Sequence, residues 1–301
     1  SRSREKNKKI IPYLSLNKKL LKNFRFYQID INKDSNQKKL LNLINTFKPN
    51  YIINFSAQGM VEQSWIKPLD WYNTNFISMV KLVNRIKNFK FLKKYIQFST
   101  PEVYGNIIKN TNENAKFNPS TPYAVSRAAF DMHLKILFDN YKFPVVITRA
   151  ANVYGPYQPL YRIIPKTIYS SFNNKKLNLD GGGQSKRSFI YIEDVCRVLF
   201  ELLIKGKIGE TYHISTDKLI KIRDLVKLII TKVKKNFKIV KIAKEREGKD
   251  FSYNLSSSKI KKKFKFNSKI NLEKGLEKTI EWYLINKKKF KKKDLNYIHK
   301  K

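Results

Sequence analysis

Cysteine is almost missing: Cys196 is the only one in 301 residues. No intrachain disulfide can form, and the chain fits a reducing, cytoplasmic compartment. Long apolar runs are missing too. None approaches the roughly 20 residues that span a bilayer, so no membrane partner is expected. No signal peptide is visible, and the first residue is Ser1 rather than Met. Acidic residues are scarce. Against 63 Lys and Arg stand 23 Asp and Glu, a formal net charge of +40. Charge of that size suggests nucleic acid when it is concentrated on one face or motif. Here the lysines run along the whole chain beside abundant Asn, Ile, Phe and Tyr, as a codon bias towards A and T would produce. No specific nucleic-acid partner is expected, only weak binding to polyanions at low salt. The KKK runs at 261–263 and 291–293 read as solvated helix ends. Internal repeats and long low-complexity linkers are also absent.

What is present can build a sizeable core. The chain is 42% hydrophobic and 13% aromatic, enough for one large domain or two closely joined ones. Short β-branched or apolar runs alternate with helix-period segments. The runs 24-FRFYQIDI-31, 50-NYIINFSA-57, 94-KYIQFS-99 and 144-PVVITRAANVYGP-156 predict strands, the last with the loop after it. Between them, 35-SNQKKLLNLINTF-47, 73-NTNFISMVKLVNRIKNF-89 and 122-PYAVSRAAFDMHLKILFDNY-141 predict helices. Ser35 suits an N-cap, and Pro122 a first helical turn. Such alternation argues for a parallel sheet covered on both faces. Sheets of that kind bind ligands beyond the carboxyl ends of their strands. Ser56, Gln58, Ser99, Thr100, Glu102 and Asn152 all fall at those ends. Beyond residue 156 the pattern changes. It predicts a helix around 160–173, a Gly turn at 181–183, a strand over 187–195, and helices near 195–204, 222–234 and 272–286. This reads as a smaller lobe closing over the sheet edge.

Three features carry chemistry: Ser99-Thr100 at a strand end, Tyr123 with Arg127 one helical turn on, and Asn152 after the next strand. Tyrosine, with a pKa of about 10, is a poor base at neutral pH. A cation one turn away and a positively charged nicotinamide ring would favour the phenolate. The Thr100 hydroxyl can hold the substrate oxygen whose proton Tyr123 takes. Tyr123 alone would read as an ordinary helix-start aromatic.

As an ordered set, 54-NFSAQ-58, 99-STPEVYG-105, 122-PYAVSRAAFD-131, 149-RAANVYGP-156, 187-RSFIYIEDV-195, 211-TYHIS-215, 246-REGKD-250 and 274-KGLEKTIEWY-283 resemble the extended short-chain dehydrogenase/reductases. Within them they are closest to the nucleotide-sugar 4,6-dehydratases. The resemblance implies an α/β fold: a Rossmann-like doubly wound parallel sheet with a smaller C-terminal substrate-binding lobe. Residues 1–156 and 187–204 would bind NAD, and 157–186 and 205–301 the sugar nucleotide. It implies a hydro-lyase with NAD as cofactor, a nucleotide-diphosphate sugar as substrate and no metal. It also implies a homodimer through the helices at 73–89 and 122–141. Tyr123 would take the O4 proton as hydride leaves C4, with Thr100 supporting that oxygen. Glu102 would remove the C5 proton, water would leave from C6, and hydride would return there. Asp30 and Ile31 match the pair at the adenine. Ser56, Ala57, Gln58 and Ser99, with Tyr123 and Arg127, match the cofactor wall. Asn152, Arg162, Arg187, His213 and Arg246 match positions that hold the nucleotide diphosphate, and a guanidinium fork suits phosphate. His213, in an expected strand, reads more often as a core histidine, and Arg162 and Arg246 read about equally as surface charges.

Three departures stand out. No GxxGxxG turn precedes residue 59, and 1-SRSRE-5 resembles the end of the family's second strand. The expectation is a chain lacking the opening strand–Gly-turn–helix, with an exposed sheet edge and weak NAD binding. Arg127 stands where lysine is usual, so activity with an altered pH dependence is expected. Pro101 stands where an aspartate usually protonates the departing hydroxyl. Either Glu102 serves both steps, another group substitutes, or no water is eliminated. An epimerase or a UDP-glucuronate decarboxylase would use the same scaffold, though Glu102 favours a step at C5. A non-catalytic sugar-nucleotide-binding fragment and a charge-driven polyanion binder are readings of other classes.

Overall fold

The computed structural model describes residues 2–3, 18–234, 236–245, 248, 250–290 and 295–299. In chain order the helices are α1 (Lys18–Leu21), α2 (Asp34–Phe47), α3 (Val61–Ile66), α4 (Pro68–Tyr72), α5 (Ser78–Ile86), α6 (Pro122–Tyr141), α7 (Ile163–Phe172), α8 (Ile192–Lys205), α9 (Ile222–Lys232), α10 (Ser258–Phe264) and α11 (Leu272–Ile285). The strands are β1 (Tyr51–Asn54), β2 (Lys94–Ser99), β3 (Ile107–Thr111), β4 (Val145–Ala150), β5 (Asn152–Tyr154), β6 (Leu177–Asp180), β7 (Lys186–Tyr191), β8 (Thr211–Ile214), β9 (Leu219–Lys221), β10 (Val240–Ala243) and β11 (Ser252–Leu255).

β1, β2, β4 and β8 form one sheet in that order, every pairing parallel. Alternate residues serve opposite faces. Tyr95, Val145 and Ile147 join Met79, Val83 and Ile86 of α5 and Phe130 and Leu134 of α6 in one core. Ile96, Val146 and Ile214 join Val195, Val198, Leu199 and Leu202 of α8 in the other. Both faces are therefore dry, which explains the near-continuous apolar strands. A second sheet runs β3-β11-β7-β5 with β9 antiparallel on β7, and β6 pairs β10 separately. A third core, from α7, α9 and α11, packs against Tyr154, Phe189 and Tyr191.

Several expectations need correction. Residues 24–31 make no ladder among the described residues. Ile29 is buried and Ile31 packs on the first core, while Phe24 and Tyr27 are exposed. α2 begins at Asp34, with Lys33 rather than Ser35 in the capping position. The strand expected over 187–195 stops at Tyr191, where α8 takes over. β7 belongs to the second sheet, and β8, expected in the smaller lobe, pairs with β4 in the first. Of 1-SRSRE-5, only Arg2 and Ser3 are among the described residues.

Candidate active site

β2 ends at Ser99, and Thr100 caps a single helical turn, Pro101–Tyr104. The Thr100 Oγ1 accepts from the Glu102 N–H at 3.3 Å. Pro101 suits the first position, where no N–H is needed and φ is already fixed. Gly105 leaves the turn at φ 67°, and a Cβ there would stand 2.1 Å from the Asn118 carbonyl oxygen, so the exit requires glycine. α6 starts beside this turn. The Thr121 Oγ1 accepts from the Ala124 N–H at 3.1 Å, and the Ser64 Oγ accepts from the Tyr123 N–H at 3.2 Å. These caps hold Tyr123 in the first turn. Behind it, Asn75 accepts the Gln58 N–H at 2.7 Å and donates to the Ser126 Oγ at 3.0 Å, tying the exit of β1 to α6.

The strand ends, α3 and the start of α7 enclose a cleft of about 990 Å³. Ala57, Ser99, Thr100, Glu102, Tyr123, Arg127, Asn152, Arg162 and Arg187 line it together. Ser56 and Gln58 stand behind its wall; the Ser56 carbonyl accepts from Arg127 at 3.3 Å. Asp30 and Ile31 do not line it. The Asp30 N–H donates to the Asn36 Oδ1 at 3.1 Å, and Ile31 serves the core. His213 is a correction. It is fully buried in β8, the outer strand of the first sheet, where α10 covers the strand and the His213 Nε2 meets the Tyr104 hydroxyl at 2.8 Å. Arg246 lies outside the described residues.

Burial is the largest influence on Tyr123 and pushes its pKa up, and the Glu102 charge adds to that. Arg127, the hydrogen bond from Thr100 and Arg162 pull the other way without reversing the rise. Arg127 is 2% exposed. Its fork donates to the carbonyls of Ser56 and Phe98, which joins the ends of β1 and β2, and its Nε–H is buried without a partner. Arg187 donates to the Phe251 carbonyl at 3.0 Å and the Asp250 carbonyl at 2.7 Å, and stacks 4.2 Å over Tyr253. It therefore braces the wall with donors already engaged. Arg162 is exposed at the N-cap of α7, with Lys166 also lining the cleft. Two cations and a helix N-terminus together favour an anion.

Sequence reasoning missed Gln63, which lines the cleft and keeps a buried Oε1 without a partner. No motif marks it. It also missed the C-terminal stretch. Leu295, Asn296 and Tyr297 line the cleft, and the Tyr297 hydroxyl donates to the Gln58 Oε1 at 3.3 Å. His299 stacks on Trp71 with ring centroids 4.9 Å apart, and its Nε2 lies 2.6 Å from the Asp70 Oδ2.

A sequence profile described as GDP-mannose 4,6 dehydratase matches residues 1–279. The chain belongs to that family. Among relatives of this 4,6-dehydratase family, the human dTDP-D-glucose 4,6-dehydratase is 35% identical over 271 residues, covering 88% of this chain and 76% of its own length. The structure of dTDP-glucose 4,6-dehydratase from Bacillus anthracis in complex with NAD superposes with a TM-score of 0.81 at 30% identity, over 88% of this chain and 81% of that one. The Streptomyces venezuelae dTDP-glucose 4,6-dehydratase, solved with NAD bound, gives a TM-score of 0.83 at 27% identity with the same coverage. The family's α/β fold of parallel strands and flanking helices is the one described above.

Proposed function

We propose that the chain is an NAD-dependent nucleotide-sugar 4,6-dehydratase acting on a dTDP-hexose or a close analogue. The observation that carries this reading is the grouping of Thr100, Glu102 and Tyr123 on one cleft wall, close enough that Thr100 hydrogen-bonds the phenol and Glu102 raises its pKa. The residues present fit the nicotinamide end of NAD. Tyr123 and Arg127 share the wall, and the buried Arg127 Nε–H awaits an acceptor. No GxxGxxG turn for the pyrophosphate occurs among the described residues. NAD, when bound, accepts hydride from C4 and returns it to C6.

The chain's own groups supply the proton chemistry. Tyr123 takes the proton of the C4 hydroxyl, with Thr100 holding that oxygen. The resulting 4-keto group acidifies C5–H, and Glu102 accepts that proton. Pro101 has no proton to give, so the protonated Glu102 delivers it to the C6 hydroxyl, which leaves as water; once C6 is reduced, C5 takes up a proton that Glu102 draws from solvent. Arg162, Lys166 and the N-terminus of α7 would hold the diphosphate, with Asn152 beside it. Gln63 Oε1 would accept from a sugar hydroxyl. Mass spectrometry of sugar nucleotides incubated with the enzyme and NAD tests the assignment. Loss of one water supports it. Loss of carbon dioxide indicates a decarboxylase, and an unchanged mass removes dehydration.

We also infer a homodimer. Val125, Met132 and Ile136 lie along one exposed face of α6, and Trp65, Ile66 and Leu69 are exposed on α3 and α4. Exposed apolar side chains grouped on one helix face support a subunit contact. The free, exposed Cys196 supports a reducing, cytoplasmic setting.

A further inference from the structure

One buried ion pair holds both ends of the turn that carries Glu102. Asp131, on α6, and Arg149, on β4, are 1% and 3% exposed and meet at 2.9 Å. The Asp131 Oδ2 also accepts the Ser99 hydroxyl at 2.8 Å, at the start of the turn. Arg149 donates through Nη1 to the Tyr104 hydroxyl, at its end. An arginine only donates, so the Tyr104 proton goes to the Glu113 carbonyl at 3.4 Å or to the His213 Nε2 at 2.8 Å, and the shorter contact favours the histidine. That makes Nε2 an acceptor and His213 neutral. Burial, then the Arg149 charge, hold the His213 pKa down at about 3, in keeping with this direction of donation.

Stability does not account for such a pair, because well-packed apolar residues often serve as well or better in its place. What it offers is geometry. The same helix carries Asp131 and, about two turns earlier, Tyr123. The turn closes on itself, through the Glu102 N–H to the Thr100 Oγ1 and the Gly105 N–H to the Glu102 carbonyl, and the pair ties that closed turn to α6 and β4. We propose that Asp131 and Arg149, acting through Ser99 and Tyr104, are positioning residues that set the distance between Glu102 and Tyr123. They thereby match the C5 proton transfer to the C4 oxidation. This rests on the assignment of Tyr123 and Glu102 given above.

The test uses Ser99→Ala and Tyr104→Phe, which remove one hydroxyl each and leave the ion pair intact. Hydrogen exchange of the Glu102–Gly105 amides needs no substrate. The clamp predicts that it accelerates about tenfold in both variants, and that Ser99→Thr restores it. In single turnovers, Tyr104→Phe should slow solvent deuterium exchange at C5 about a hundredfold, while C4 oxidation stays within about threefold. Unchanged amide exchange in both variants overturns the proposal, as does an equal fall of the C4 and C5 steps. A wild-type protein that performs neither step would sink the dehydratase assignment instead, and amide exchange would still decide the clamp.

Discussion

The Ser99 hydroxyl donates to the Asp131 Oδ2 at 2.8 Å, and that bond joins the strand delivering Thr100 to the helix delivering Tyr123. Two elements far apart in sequence thus present their reactive groups to one cleft in a fixed relation. The remaining bonds to Asp131 come from Arg149, through Nε at 3.2 Å and Nη2 at 2.9 Å.

Breaking that pair should be costly. Asp131→Asn leaves the buried Arg149 guanidinium without its counter-charge, which costs about 3–5 kcal/mol. Denaturant unfolding should show the midpoint falling accordingly. A loss under about 1 kcal/mol would mean that water or a neighbouring group already neutralises the arginine.

The pH dependence of C4 oxidation should follow Tyr123. The phenol must lose its proton to act, and burial raises its pKa, so the rate should climb towards alkaline pH. Removing the Glu102 charge with Glu102→Gln lowers the Tyr123 pKa and moves the rise to lower pH. Removing the cation with Arg127→Gln moves it to higher pH. Arg127→Lys keeps the charge but not the fork joining the Ser56 and Phe98 carbonyls, and its profile should also differ from wild type. Single-turnover rates across pH measure all three, and a profile that ignores them would remove Tyr123 as the base.

His213 should make stability fall in mild acid. Its folded pKa, about 3, lies below the ordinary 6.5 because of burial first and Arg149 second. Between these values the unfolded chain binds a proton that the folded chain refuses. Stability is therefore full above about pH 6.5 and declines as pH drops, by up to about 1.4 kcal/mol per unit. His133 is also held low, by burial and then Lys87, so the measurement is a comparison. Urea midpoints between pH 4.5 and 6.5 should fall less steeply in His213→Gln than in wild type. Equal slopes would contradict the neutral, accepting His213.

Pro101→Asp should speed elimination. It places a second carboxylic acid beside Glu102, so the leaving hydroxyl no longer depends on the proton taken from C5. General acids contribute about 10²–10⁴-fold, and even part of that would show as faster water loss relative to C4 oxidation. An unchanged ratio would mean that another group already protonates the hydroxyl.

Much of this architecture is legible in the sequence because helix and strand periods are local. α6 occupies Pro122–Tyr141 as its pattern indicates, and β2 ends at Ser99 where the apolar run stops. Nine of the marked site residues share the cleft because parallel strands end on one side. The failures are non-local. Matching His213 to the diphosphate runs against its better reading as a core histidine, and β8 does bury it. Residues 24–31 alternate like a strand, yet a strand needs a partner that composition does not supply. Asp131 ends one quoted motif and Arg149 opens another, but nothing in the sequence pairs them, and Leu295–Tyr297 reach the cleft through contacts distant in sequence, such as Tyr297 with Gln58.

The most direct test of the account is one turnover of a dTDP-hexose in heavy water with NAD, comparing wild type with Glu102→Gln. The wild-type product should lack one water and carry one solvent deuterium at C5. Glu102→Gln should oxidise C4 and stop, with no water lost and no deuterium taken up. Water loss by Glu102→Gln at the wild-type rate, or a wild-type product without deuterium at C5, would contradict it.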